Sequence, residues 1–198
     1  MAAAAGPSRS TGTWCAPSCG RPGRCRPCWW ATPWGGAITQ ALALAEPALL
    51  RGIVLVGTGA RLRVHPDLLE IIRRDHAEAA RWLAGWSFAP AAPAALRAEG
   101  ERDQLCCPAA VTEGDLRACD GFDVMAEVAG IRLPALIVCG EQDALTSPKY
   151  ARFLHERIAG SRLVLVPEAG HYVMREQPAA LNAALQEFLT SLSSALRK

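Results

Sequence analysis

Three short apolar runs set the pattern of this chain, and each is followed by a turn that contains glycine. The runs are Ile53–Val56, 135–139 and 163–166. Their length and lack of polar alternation are typical of parallel strands buried on both faces. Segments with helical spacing lie around them, at 35–45, 147–158 and 178–196. This alternation of strands and helices predicts a parallel sheet joined by right-handed crossovers.

Residues 61–130, between the first and second runs, predict a helical insertion. Their apolar residues follow a helical stripe that begins just after His65 and Pro66. Further along, Thr112 with Asp115 three positions later has the signature of the N-cap of another short helix. The fold class predicted from the whole pattern is α/β, a partial parallel sheet with a helical insertion.

The chain divides into segments of different composition. Residues 1–34 contain no Asp or Glu, four Arg, four Cys and five Pro, and show no period of 2 or 3.6. We therefore predict that 1–34 is disordered or foreign to the fold. The predicted core comprises 35–60 and 131–198, and the predicted insertion comprises 61–130.

Composition and charge narrow the class of protein. The 198 residues are 51% hydrophobic and 20% charged, with a net charge of +2, which is typical of a globular domain and favours no nucleic-acid partner. No apolar run approaches the roughly 20 residues of a transmembrane helix. Residues 1–5 are too short for the core of a signal peptide. We predict no membrane partner and a cytoplasmic location with reduced thiols; the oligomeric state stays open.

Two strand ends carry the candidate chemistry. Asp143 lies in the turn after the run 135–139, and His171 follows Gly170 after the run 163–166. Because the carboxyl ends of parallel strands meet at one edge of a sheet, we expect the carboxylate and the imidazole to lie close together. A carboxylate paired with an imidazole is the acid and base of a nucleophilic triad.

These two turns resemble motifs of the α/β-hydrolase family in their order and spacing. The first is Gly140-x-x-Asp143 with Thr146-Ser147-Pro148 after it, and the second is Gly170-His171 with Glu176-x-Pro178 after it. The resemblance extends from about 35 to 196, with 61–130 at the position of the family's helical cap. It implies a serine esterase type of enzyme that hydrolyses an ester or related acyl bond of a small molecule. It implies neither a metal nor an organic cofactor.

The resemblance also assigns roles. Asp143 would orient the imidazole, and His171 would take a proton from a serine nucleophile and later activate water. The family's third motif, G-x-S-x-G, falls at residues 31–36, where this chain has A-T-P-W-G-G. Pro33 thus occupies the nucleophile position, and the N–H of Trp34 would supply half of the oxyanion hole. Because proline offers no nucleophile, we expect the chain as it stands to be inactive.

The genetic code suggests a reason for the boundary near residue 35. Tryptophan has a single codon. Reading Trp29 and Trp30 in a frame displaced by one base therefore forces Val-Gly, with Leu forced before them. The codons that follow permit His-Ser. Removal of one G from the run at Trp34 then restores the frame. The recovered stretch admits L-V-G-H-S-M-G-G, a strand that enters a serine elbow. We hypothesise that a single-base insertion, in the gene or in its sequencing, displaced the frame of 1–34.

An alternative from another class is a non-catalytic hydrolase relic that acts as a binding or interaction module. Four thiols near the start of the chain would give it a zinc site with tetrahedral ligands: Cys15, Cys19, Cys25 and Cys28. Displaced GC-rich codons also yield Arg, Pro and Cys, and we therefore predict no metal.

Aromatic side chains in the insertion leave two interpretations open. Trp82, Trp86 and Phe88 would line a substrate pocket beneath the cap, or they would form the core of the insertion itself.

Overall fold

A three-stranded parallel sheet forms the centre of the computed structural model, which describes residues 33–195. The strands, in spatial order, are β1 (Ile53–Val56), β2 (Ala135–Gly140) and β3 (Arg162–Val166). Every residue of β2 is buried, as expected for a parallel strand with a neighbour on each side and helices on both faces. The fold class predicted from the apolar runs is confirmed.

Eight α-helices surround the sheet within residues 33–195. They are α1 (Pro33–Ala45), α2 (Pro66–Arg74), α3 (His76–Ser87), α4 (Ala94–Leu105), α5 (Ala109–Gly121), α6 (Pro148–Arg157), α7 (Val173–Glu176) and α8 (Pro178–Ala195). In this part of the chain, no helix has the length and apolarity needed to cross a bilayer.

The two faces of the sheet carry separate apolar clusters. Along β2, Ile137 and Cys139 point to the face covered by α1 and α6, while Leu136 and Val138 point to the face covered by α8. Successive side chains of a strand alternate between faces, so this one buried strand supplies both cores. The sheet is therefore packed between helices on both faces, which fixes the positions of the loops at the carboxyl ends of its strands.

Helices α2 to α5 lie between β1 and β2 and form a small unit with its own apolar cluster. Leu68 and Ile72 of α2 pack against Ala79 and Leu83 of α3. The predicted start of the first helix is confirmed, because His65 is the N-cap of α2 and its ring accepts a hydrogen bond from a backbone N–H. We call these four helices the cap; its limits at 61 and 130 stay a prediction.

One helix of the cap begins earlier than its sequence predicts. Thr112 lies inside α5, whose N-cap is Pro108 with a φ of −58°. The Pro108 carbonyl accepts hydrogen bonds from Val111 N at 2.9 Å and from Thr112 N at 3.1 Å, so the first turn is already formed where a cap was expected. The Thr112 hydroxyl is buried and has no hydrogen-bond partner among the described residues. The N-cap prediction for Thr112 is wrong.

Candidate functional site

The loops after β2 and β3 place Asp143 beside His171. Asp143 Oδ2 accepts a hydrogen bond from His171 Nδ1 at 2.9 Å, and the two residues are only 3% and 1% exposed. The loops can approach because Gly140 has no Cβ: a Cβ there would overlap the carbonyl oxygens of Ala169 and Gly170. The sheet edge thus brings together the acid and the base that the sequence predicts.

The carboxylate of Asp143 is fully occupied by donors. Oδ1 accepts from Leu145 N at 2.9 Å and from Thr146 N at 2.8 Å. Oδ2 accepts from Thr146 Oγ1 at 2.9 Å in addition to the imidazole. Because a carboxylate oxygen accepts hydrogen bonds, its contact with the ring places the donor hydrogen on His171 Nδ1, and in the neutral imidazole Nε2 then carries the lone pair.

Thr146 belongs to the first motif of the sequence, but its contacts with the acid and the histidine were not predicted. Its hydroxyl lies 2.9 Å from Asp143 Oδ2 and 3.2 Å from His171 Nδ1, and the residue is 5% exposed. The signal was present in the sequence, since an aspartate three positions before a threonine favours a local turn closed by side-chain hydrogen bonds. Thr146 therefore restrains the carboxylate oxygen that holds the ring.

The other ring nitrogen of His171 faces a different environment. Nε2 is buried and has no hydrogen-bond partner among the described residues. Gly57, just after β1, has a φ of +55°, and a Cβ there would lie 3.2 Å from Cε1 and Nδ1 of the imidazole. A buried imidazole nitrogen without a partner is costly unless another group occupies its lone pair.

The first turn of α1 packs against the segment that follows β1. A Cβ on Gly36 would overlap the side chain of Thr58, which follows Gly57. Pro33 is the first residue of α1, and the side chain of Trp34 is partly buried against Ala37 and its neighbours. The elbow position of Pro33 and the oxyanion role of Trp34 stay predictions.

Glu176 joins the cap to the loop that carries His171. Its Oε1 accepts from Ala89 N at 2.7 Å, and its Oε2 accepts from Gly170 N at 2.8 Å. Ser87 O reinforces this junction, because it accepts from His171 N at 2.9 Å. Sequence reasoning named Glu176 as part of a motif but missed this contact, since 87 positions separate it from Ala89.

The aromatic residues proposed for a substrate pocket have different surroundings. Phe88 is 3% exposed and packs edge-to-face against Tyr172, with ring centroids 5.0 Å apart. Trp82 and Trp86 contact each other at 5.5 Å, and Trp86 is 48% exposed. Tyr172 follows His171, so Phe88 lies closest of the three to the site along this chain of contacts. Their role in a pocket stays a prediction.

Cys139 borders the site but is unsuited to act as a nucleophile. Its Sγ lies 3.9 Å from Asp143 Oδ2. Burial, followed by the nearby charge of Asp143, raises the pKa of the Cys139 thiol to about 12. A thiol nucleophile must lose its proton near neutral pH. Cys139 therefore serves as a small buried side chain.

The zinc hypothesis depends on thiols outside the described residues, namely Cys15, Cys19, Cys25 and Cys28. Within residues 33–195, no group of three or more His, Cys, Asp or Glu side chains is arranged to hold a metal.

Sequence comparison places the chain in a family. The profile described as "Alpha/beta hydrolase family" matches residues 10–184. The chain belongs to the α/β-hydrolase family, as the motifs around Asp143 and His171 predicted. The matched range begins inside the segment 1–34.

Individual relatives carry hydrolase or synthase names. The chain is 32% identical over 186 residues to the polyketide synthase ThaQ of Burkholderia thailandensis, which covers 87% of this chain and 9% of that protein. It is 27% identical to a pimeloyl-[acyl-carrier protein] methyl ester esterase of Neisseria meningitidis, over 78% of this chain and 54% of that protein. A solved structure of a thermophilic esterase is 36% identical, with a TM-score of 0.72, over 80% of this chain and 63% of that one. The chain thus spans less than two thirds of these relatives.

Proposed function

We propose that the intact form of this protein hydrolyses an ester or a related acyl bond by serine, histidine and aspartate chemistry. The observation that carries the proposal is the state of His171. Its Nδ1 is fixed by Asp143 at 2.9 Å, while its Nε2 is buried without a partner among the described residues. An imidazole oriented in this way can take a proton from a hydroxyl that attacks an acyl carbon, and can later activate water.

The proposed nucleophile position is the start of α1. A Cβ on Gly36 would overlap the side chain of Thr58, and a Cβ on Gly57 would lie 3.2 Å from Cε1 and Nδ1 of His171. These two close approaches support a place for the first turn of α1 near the acid–histidine pair. In the proposed mechanism, a serine at position 33 gives its proton to Nε2 and attacks the acyl carbon of the ester. The bond to the ester's alcohol breaks, the alcohol leaves with the proton from Nε2, and an acyl-enzyme remains for water to hydrolyse. The backbone N–H at position 34, here Trp34, stabilises the oxyanion. With Pro33 there, the chain as it stands is inactive.

The substrate class that we propose is a small-molecule ester; the name of the Neisseria relative gives a methyl ester of a pimeloyl-[acyl-carrier protein]. The methyl ester named for the Neisseria relative supports a carboxylic ester over a phosphate ester. The location that we propose is the cytoplasm, since the four cysteines within residues 33–195 are all free thiols.

A repaired chain provides the test. In it, residues 28–34 are replaced by L-L-V-G-H-S-M, and the matched control carries alanine in place of the serine. A fluorophosphonate should phosphonylate the repaired chain and not its alanine control, and His171→Ala should abolish the labelling. The chain as it stands should hydrolyse p-nitrophenyl acetate no faster than its His171→Ala variant.

Two results would contradict the proposal. One is a repaired chain that is folded by circular dichroism and yet resists the fluorophosphonate. The other is ester turnover by the unmodified chain that is lost on His171→Ala, because this would show a nucleophile elsewhere.

A further inference from the structure

A pocket lies beside the sheet, on the side of α6. It has a volume of about 220 Å³, and its lining residues are Ala60, Arg61, Met125, Lys149, Tyr150 and Phe153. None of these six hydrogen-bonds or stacks with Asp143 or His171 in the described part of the chain. The pocket is therefore separate from the acid–histidine pair.

The walls of this pocket are apolar and partly aromatic. Tyr150 and Phe153 lie one helical turn apart on α6 and offer two rings, and Met125 adds a thioether that packs well against aromatic groups. Tyr150 packs closely against Gly59, since a Cβ on Gly59 would lie 3.1 Å from its ring. A cavity of about 150 Å³ holds benzene, so 220 Å³ accommodates one ring and a small polar group.

The lining of the pocket carries an excess of positive charge. Lys149 Nζ lies 5.1 Å from the centroid of the Tyr150 ring and forms no ion pair with any residue among 33–195. Arg61 faces Asp123 at 3.9 Å, and Arg63 faces the same carboxylate at 3.8 Å. The six lining residues include two cations and no carboxylate, and the Arg157 guanidinium lies 5.1 Å from the centroid of the Phe153 ring. Because Arg61 already pairs with Asp123, Lys149 is the lining cation that is left for a ligand, and one such cation suits a carboxylate monoanion.

We propose that this pocket binds an aromatic carboxylate, with its ring between Tyr150 and Phe153 and its carboxylate at Lys149. The segment 57–60 connects the pocket to the site: Gly57 contacts the ring of His171, and Ala60 lines the pocket. The binding site is complete without a nucleophile, so its test is independent of the proposed hydrolysis.

Benzoate and its uncharged isostere benzamide are the probes, titrated into the ¹⁵N-labelled full chain. Benzoate should shift the amide signals of Ala60 and Tyr150 saturably, with a Kd on the order of 1 mM for a ligand of about nine heavy atoms. Benzamide should bind about tenfold more weakly. Lys149→Met should weaken benzoate to the level of benzamide, and Phe153→Ala should weaken both ligands.

Arg81→Met is the matched control, since Arg81 is an exposed cation of α3 in the cap. It should leave the affinity for benzoate unchanged. The proposal is overturned if the shifts do not saturate, if benzamide binds as well as benzoate, or if Arg81→Met has the effect of Lys149→Met. Loss of binding on His171→Ala, with shifts centred on the acid–histidine pair, would also overturn it.

Discussion

The two nitrogens of the His171 ring face regions that the chain builds in different ways. On the Nδ1 side, Asp143 and Thr146 form a closed set of hydrogen bonds between 2.8 and 3.2 Å. On the other side of the ring, Nε2 is buried and has no hydrogen-bond partner within residues 33–195. The acid–histidine pair is thus assembled in a chain whose proposed nucleophile position holds a proline. The geometry of the proposed base does not depend on the presence of a nucleophile.

The largest expected effect tests whether Asp143 orients His171 so that it can act as a base. In the repaired chain, Asp143→Asn should slow phosphonylation of the introduced serine by about 10³- to 10⁴-fold, because the amide no longer fixes the hydrogen on Nδ1. Stopped-time labelling read by intact mass measures the rate. Asp67→Asn is the control, since that side chain is 72% exposed on α2. Equal rates in the two variants would show that Asp143 does not orient the base.

The second test asks whether solvent is excluded from the Asp143 side of the imidazole, where Cys139 lies. With its pKa raised to about 12 by burial, the Cys139 thiol should be alkylated by iodoacetamide at pH 8 about 10³-fold more slowly than exposed Cys106. The folded pKa lies above the ordinary 9.0. The contribution of this thiol to stability is therefore full below about pH 9 and is lost as the pH rises toward 12. Peptide-level mass spectrometry gives both rates, and similar rates would mean that solvent reaches the site.

The third test removes the connection between the cap and the histidine loop. Glu176→Ala should lower the free energy of unfolding by about 2–4 kcal/mol, because two backbone N–H groups lose a charged acceptor. Glu176→Gln keeps one acceptor oxygen and should lose about half as much. Urea unfolding measures both. Glu187→Gln, an exposed residue paired with Arg162, should change stability by less than about 1 kcal/mol; an equal loss there would contradict the assigned role.

The smallest expected effect concerns the close approach of Gly57 to the imidazole of His171. Gly57→Ala should destabilise the protein by about 2 kcal/mol, the sum of left-handed backbone strain and contact with the imidazole. Gly160 has a φ of +73°, and a Cβ added there would meet no atom within 4 Å, so Gly160→Ala carries only the strain, about 1 kcal/mol. Thermal unfolding of the pair isolates the imidazole contact. Equal losses would mean that the ring moves aside freely.

Local patterns in the sequence were sufficient to predict part of this structure. The runs that became β1, β2 and β3 are apolar throughout, and parallel strands must end at one edge, so Asp143 and His171 could be paired in advance. The contacts of Ser87, Ala89 and Glu176 could not, because they depend on how the cap packs across the sheet. The error at Thr112 has a similar cause: a cap signature competed with Pro108, which had already started the helix.

The carboxylate of Glu176 limits how freely this architecture can be recombined. One oxygen binds Ala89 in the cap, and the other binds the loop that carries His171. A chimaera that exchanges the cap for that of a relative must therefore bring a backbone N–H to the same point, or the Glu176 carboxylate loses one of its two donors. The cap and the histidine loop are thus exchangeable only as a matched pair.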